Sequence, residues 1–317
     1  MLRLIAWRLI QLPLILAIIF IVTFTLVWMI PGNPLDRPDA QRPPPEIEQA
    51  MLRQYNLHDP WVFAGSYLQG IFLGSEHYPA PDFGPSLQYQ DQRVLQIISA
   101  GLPVSVQLGA AALIVALCLG TAAGVIGALW PGSFLDLSSL AMALIGISLP
   151  SFVTGSILLV VFAGLLRWFS VVGWGSPQHY VLPAITLGVM PAAYVARFIR
   201  LGLADIMSSD YIRTARAKGL SYHHTVFKHA LKVAYLPVIS FLGPAAAATM
   251  TGSFVVEAVF QVPGIGTHFI HGVLHKDQFL ILGVVLTYAS MLVAFNLIVD
   301  IVYAWFDPRI EYAAESR

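Results

Sequence analysis

Nine histidines, a single cysteine, 17 basic and 17 acidic residues are the groups in this 317-residue chain with chemistry to offer. Their spacing points away from catalysis. His223, His224 and His229 stand close together, yet there is no His-Glu-x-x-His pair to hold a catalytic zinc. No glycine-rich loop ends in Gly-Lys-Ser/Thr, so the chain is not expected to bind or hydrolyse ATP itself. Nor does a Gly-x-Ser-x-Gly elbow present a serine nucleophile. Cys118 is alone in an apolar run; it can form no intrachain disulfide or thiolate metal cluster and reads as a small core residue. Glu257 and Asp300 are the carboxylates embedded in apolar sequence. Ionisable groups at membrane depth are expensive and face protein or water. Lining a substrate or proton path is one use for them. Both lie near the ends of their apolar runs, where a helix-end group bonded to a neighbour is the expected role.

Composition dictates the elements that carry these residues. The chain is 57% hydrophobic and 11% charged, with a mean hydropathy of +0.73. A soluble domain carries roughly 25% charged residues, so lipid must solvate part of this surface. The formal net charge is zero, which makes a nucleic acid an unexpected partner.

Crossing a bilayer core takes about 20 mostly apolar helical residues, and about six stretches qualify. They run from about Leu9 to Ile30, Val104 to Trp130, Leu137 to Leu165, Val181 to Leu203, Leu236 to Phe260 and Phe279 to Phe306. The fourth is the least secure, because Pro183 and Pro191 interrupt it and Arg197 and Arg200 sit at its far end. Residues 1–30 also have the basic start of a signal peptide. Their apolar stretch is longer than a signal core and runs into Pro31-Gly32-Asn33-Pro34 with no cleavage site, so an uncleaved anchor is expected.

Orientation follows from basic residues in the loops. With the N-terminus cytoplasmic, that side holds Arg3, Arg8, Arg197, Arg200, Arg213, Arg216, Lys218, Lys228, Lys232, Arg309 and Arg317. The outer side holds Arg37, Arg42, Arg53, Arg93, Arg167 and Lys276. Eleven against six supports N-in and C-in. The expected fold class is thus an all-α polytopic membrane protein of about six transmembrane helices. Residues 1–100 would be a first helix plus a large outer loop, with short helices around Glu46 to Tyr55; residues 101–317 would be a five-helix core. Gly120, Gly124 and Gly127, and Gly243 with Ala245 to Ala248, predict close helix approach, since packing drives association in lipid.

The second large loop, about 204–235, is the most informative. Ser209 or Asp210 suits an N-cap for a helix over Tyr211 to Lys218, and Gly219 suits its left-handed end. A second helix, from about Ser221 to Val233, leads to Leu236-Pro237. The result is a basic two-helix knob on the cytoplasmic face.

Arg213-Thr214-Ala215, three residues and Gly219 resemble the EAA loop of ABC-importer permeases, Glu-Ala-Ala-x-x-x-Gly. Arg213 and Thr214 depart from the general pattern in the way typical of the dipeptide/oligopeptide/nickel branch, with its Tyr-Ile-Arg-Thr-Ala-Arg-Ala-Lys-Gly wording. Arg8-Leu9-Ile10 leading to Pro31-Gly32-Asn33-Pro34, Val255 to Phe260 followed by Pro263-Gly264-Ile265-Gly266, and the closing Asp300 and Asp307-Pro308-Arg309 resemble the same branch along the full length. The chain is similar to its first-permease type.

That resemblance implies a type I ABC-importer permease bundle in a bacterial or archaeal cytoplasmic (inner) membrane. It implies a second homologous permease, two cytoplasmic ABC ATPase subunits that bind the ATP, an extracytoplasmic solute-binding protein, surrounding lipid, and no metal or cofactor. Arg213, Thr214, Ala215, Gly219, Leu220, Ser221, Tyr222, His223, His224 and Val226 would contact the ATPase. Glu257, Pro263, Gly264 and Gly266 would lie at the outer mouth. The solute would be a di- or oligopeptide, with specificity residing largely in the binding protein. The competing reading is a secondary transporter or channel working without an ATPase; it needs midplane ion sites or inverted repeats, which the sequence does not display.

Overall fold

The computed structural model describes residues 2–35, 44–89, 91–170, 173–250 and 254–306. Arg37, Arg42, Pro43 and the closing Asp307-Pro308-Arg309 through Arg317 lie outside the described residues, as do the side chains of Arg3 and Arg8. Within them the chain is helical, apart from turns and two isolated β-bridges, Ser75–Tyr78 and Pro85–Arg93. The helices are α1 (Leu2–Met29), α2 (Pro45–Gln54), α3 (Pro60–Leu73), α4 (Val94–Leu129), α5 (Phe134–Ser148), α6 (Ser151–Leu158), α7 (Pro177–Met207), α8 (Asp210–Ala217), α9 (Tyr222–His224), α10 (Leu231–Ala234), α11 (Leu236–Met250), α12 (Phe254–Phe260), α13 (Ile265–Leu274) and α14 (Gln278–Phe306). π-helical turns extend α6 over Leu159–Leu165 and join α9 to α10 over Thr225–Ala230.

Among the described residues four helices are long and apolar enough to cross a membrane: α1 over Ile10–Met29, α4, α7, and α14 over Gln278–Val302. Two bent pairs bring the number to six if each is one span. The chain is an all-α, multi-pass membrane protein. The third expected span is not one rod: α5 and α6 with its π extension meet at 113°. Leu149 before Pro150 is extended (ψ 130°), because the proline ring disfavours helical geometry at the preceding residue. The fifth also differs. The Tyr222–Ala234 stretch meets α11 at 51°, so the apolar run is bent where it enters α11; residues 251–253 between α11 and α12 lie outside the described residues. The fourth, broken by two prolines in sequence, is one continuous 31-residue helix and the most buried of the four long ones. Proline frees a carbonyl in a helix but need not end it where neighbouring helices enclose it.

By its contacts the chain divides into two compact units. One comprises Trp7–Val104 with Pro263–Met291. Its core gathers Phe63, Leu87, Val94, Ile97, Ile265 and Leu280. Aromatic rings of α1 and α3 stack there, Phe20 on Tyr67 at 6.0 Å and Phe24 on Phe63 at 6.2 Å, and Phe279 lies 4.9 Å from Phe63. α3 starts where Asp59 accepts the Trp61 and Val62 N–H groups at 2.8 and 3.2 Å, with Pro60 in the first turn. The sequence division at residue 100 left 263–291 with the core helices; the contacts place that stretch with the N-terminal unit.

The other unit comprises Ser105–Val262 with the residues from Leu292 on. α7 runs through it, and the backbones of its neighbours come close at small residues. A Cβ added at Gly120 would lie 2.6 Å from the Ala192 carbonyl oxygen, one at Gly124 2.7 Å from that of Ala196, and one at Gly188 2.6 Å from that of Ala112. α4 and α7 thus meet backbone to backbone, as the glycine spacing predicted. Cys118 is exposed in the chain, not a core residue, because its side of α4 turns away from this seam.

Candidate functional site

The knob is built by one tight corner. α8 follows Ser209, whose hydroxyl bonds back to the Ile206 carbonyl (2.6 Å) instead of capping the helix. Asp210 pairs with Arg213 at 3.3 Å, but both side chains are largely solvated, so the pair adds little stability. At the far end Leu220 N–H donates to the Ala215 carbonyl (3.4 Å) and Gly219 N–H to that of Arg216 (2.9 Å). This is the six-to-one and five-to-two pattern of a Schellman cap, with Gly219 at φ +85° in the left-handed position it requires. Ser221 opens the second helix by accepting the His224 N–H at 3.3 Å. The Arg216 guanidinium lies 5.6 Å from the Tyr222 ring centre across the corner, a cation–π contact between the two short helices.

One side of this corner is anchored. Ile212, Ala230 and Ala234 are buried with Val195, Ile199 and Leu203 of α7 and with Val238 of α11. The other side is exposed: Arg213, Thr214, Arg216, Lys218, Gly219, Ser221, Tyr222, His223 and His224. Ala215 and Leu220 are half-buried. Val226, expected at the contact surface, has no exposure at all and supports the knob from beneath. Burying Ile212 and Val226 fixes the exposed strip to the helices behind it, which is what a rigid push requires.

Of the residues expected at an outer mouth, Pro263 is exposed and the others are packed within the chain. Glu257 is fully buried in α12 and accepts the Ser105 hydroxyl at 2.7 Å, the bonded-neighbour role anticipated for it. Gly264, Ile265 and Gly266 are also buried; Pro263 alone of that stretch is exposed. A Cβ on Gly101 of α4 would lie 2.9 Å from the Ile265 nitrogen, so Pro263-Gly264-Ile265-Gly266 is a packing joint inside its unit.

Two polar sites escaped the sequence reading. Asp136, in the first turn of α5, accepts both Nε and Nη2 of Arg200 on α7, at 2.6 and 2.9 Å. In sequence Arg200 signals the far end of the fourth span and a cytoplasmic basic charge, not a carboxylate partner. In the N-terminal unit Asp277 is fully buried, accepting the Ser86 hydroxyl, the Leu87 N–H (2.9 Å) and, at the start of α14, the Leu280 N–H (3.1 Å). Burial pushes its carboxyl above the ordinary range, and these donors partly offset the push. Nearby, Arg93 grips Asp82 and lies 3.6 Å over the Tyr78 ring. Burial alone would raise the Asp82 carboxyl; Arg93, the Gly84 N–H and Ser75 together hold it below its usual value. This pair borders a crevice of about 350 Å³ with Tyr55, Tyr67 and Phe279. Neither pairing had a local signal, since Asp136 and Arg200 are 64 residues apart and Asp277 and Ser86 are 191 apart.

The family described as "Binding-protein-dependent transport system inner membrane component" matches residues 120–312, and its N-terminal companion matches 1–109. The chain is 38% identical to the oligopeptide transport system permease protein OppB of Haemophilus influenzae, over 98% of this chain and 100% of that protein. It is 37% identical to the dipeptide transport system permease protein DppB of Bacillus subtilis over 93% of each, and 37% identical to OppB of Escherichia coli K12 over 94% of this chain and 95% of that one. Among solved structures, a chain of the MetNI methionine ABC transporter in inward-facing conformations superposes with a TM-score of 0.53 at 17% identity. It covers 67% of this chain and 97% of that one, a likeness of fold.

Proposed function

Because the chain belongs to the family of binding-protein-dependent transport system inner membrane components, we propose that it is a permease subunit of an ATP-driven importer of short peptides. Its own sequence lacks a phosphate-binding loop, so the energy must come from partner subunits. We assign it four kinds of partner: a second, homologous permease, two cytoplasmic ATPase subunits, a solute-binding protein on the outer side, and lipid. The chain itself is non-catalytic and holds no cofactor. Peptide as the solute rests on the oligopeptide and dipeptide permeases it resembles over nearly their whole lengths.

The observation that carries the coupling role is the anchored knob, whose exposed basic strip turns a Schellman corner at Gly219 while Ile212 and Val226 are locked beneath it. A partner that grips the strip moves α7 and α11 as well. ATP-driven approach of two ATPases would draw such knobs together and rock the bundle between inward- and outward-open states.

Two measurements test this. The tagged chain, extracted in mild detergent with its genomic neighbours co-expressed, should copurify with an ATPase carrying a phosphate-binding loop. Gly219→Val should abolish ATP-dependent uptake of a labelled tripeptide while the protein still inserts in the membrane. Wild-type uptake by that variant would sink the coupling role, and ATP-independent uptake by the native chain would favour a secondary transporter.

A further inference from the structure

Building on the proposed coupling role, we propose that Asp136 and Arg200 form a positioning pair that makes the α4–α5 turn follow α7, and hence the knob. Arg200 lies seven residues before the end of α7 at Met207, and only Ser208 and Ser209 separate that end from α8. Its two guanidinium nitrogens meet the two carboxylate oxygens of Asp136 in parallel, at 2.6 and 2.9 Å. The Asp136 side chain is 4% exposed. One of its oxygens also accepts the Gly132 N–H at 2.9 Å, in the turn that leaves α4, and its own N–H donates to the Ser133 hydroxyl. Gly127 of α4 backs onto both partners: a Cβ there would lie 3.0 Å from the Asp136 carboxylate and 3.1 Å from the Arg200 Cδ. One carboxylate thus ties the last turns of α4, the first turn of α5 and the knob-proximal part of α7.

Toward the far end of α5 the joint with α7 is of a different kind. Gly146 faces the Val189 side chain, an apolar contact with no fixed direction. Such surfaces can slide; two parallel charge-assisted bonds have one geometry. Arginine supplies both bonds, and lysine, a point charge, can supply one. Arg197, one turn away on α7, is exposed and makes no such pair among the described residues, so the pairing there belongs to Arg200 and not to the basic segment at large.

The test uses the whole transporter in proteoliposomes with its ATPase and binding-protein partners, measuring ATP hydrolysis and uptake of labelled tri-alanine together. Wild-type uptake must depend on ATP; if it does not, the coupling reading itself falls before any variant is compared. With Arg200→Gln or Asp136→Asn, hydrolysis should stay within about twofold while tripeptide moved per ATP drops about tenfold, the size of an ordinary coupling between sites. Arg200→Lys, keeping the charge and one bond, should fall between. An unchanged ratio of uptake to hydrolysis in all three variants overturns the proposal. So does a parallel loss of hydrolysis and uptake with a lowered melting temperature, in which Arg200→Lys is as damaged as Arg200→Gln; the pair would then only hold the fold.

Discussion

Ile212 and Arg213 are neighbours in sequence with opposite duties. Ile212 is 1% exposed and packs on α7, whereas the Arg213 side chain is 74% exposed. Ile212→Ala should cost about 2–4 kcal/mol of stability, and Arg213→Ala should stay within about 0.5 kcal/mol; thermal unfolding of the purified chain in detergent reads both, and the reverse order would refute the anchoring. Arg213→Ala should act on ATPase binding instead. Asp82 offers a pH test. Its folded-state carboxyl is held down, so the stability it supplies is present above its unfolded value of 3.8 and is lost as pH falls through the lower folded value. Arg93→Gln should therefore destabilise the chain by about 1–3 kcal/mol near neutral pH, and its deficit relative to the native chain should shrink once the medium is acid enough to protonate Asp82. A deficit independent of pH would refute the pairing. The Gly219 corner was legible because its signal is local: a helix cap, a glycine and a new cap within a dozen residues. Asp136–Arg200 was not, since a carboxylate at a helix start has an obvious use as a cap and nothing nearby names its distant partner.

At the scale of elements, hydropathy located the long helices and missed their direction. An apolar run from Leu137 to Leu165 reads the same whether straight or folded at Leu149-Pro150. The bend is measurable. Met142 and Ile157, both exposed, would be roughly 22 Å apart on a straight helix rising 1.5 Å per residue, and roughly 12 Å apart around the 113° bend. Spin labels at these positions, in a Cys118→Ser background, should show the dipolar broadening of the shorter separation; its absence would restore a single rod. The opposite error arose at α7, where two prolines argued for interruption. Its helix persists because tertiary burial outweighs local propensity, with Pro183 and Pro191 both buried among its neighbours.

For the whole molecule, the number and order of the apolar stretches were readable, and the grouping of the chain was not. Pro263–Met291 returns to the N-terminal unit through Asp277, Gln88 and the Gly101 joint, contacts made across more than a hundred residues of intervening sequence. Orientation still follows from charge, and we propose N-in and C-in. Cysteines placed at Trp61, which is 81% exposed, and at Lys218, in the same Cys118→Ser background, should react with impermeant maleimide from opposite faces of sealed vesicles, Trp61→Cys from the outside. Labelling of both from one face would overturn the six-span reading.

The close approach of α4 and α7 also shapes how inheritance would read this protein. Glycine has no smaller replacement, so at Gly120, Gly124 and Gly188 every amino-acid change puts a Cβ less than 3 Å from a backbone carbonyl oxygen. In a saturation library selected for growth on peptides, these positions should be purged as severely as the corner at Gly219. Tallying survivors alone would mistake a steric seam for a working surface. Counting protein per cell alongside growth separates them: lineages altered in the seam should vanish because they hold little folded permease, and those altered at the corner should vanish while holding plenty.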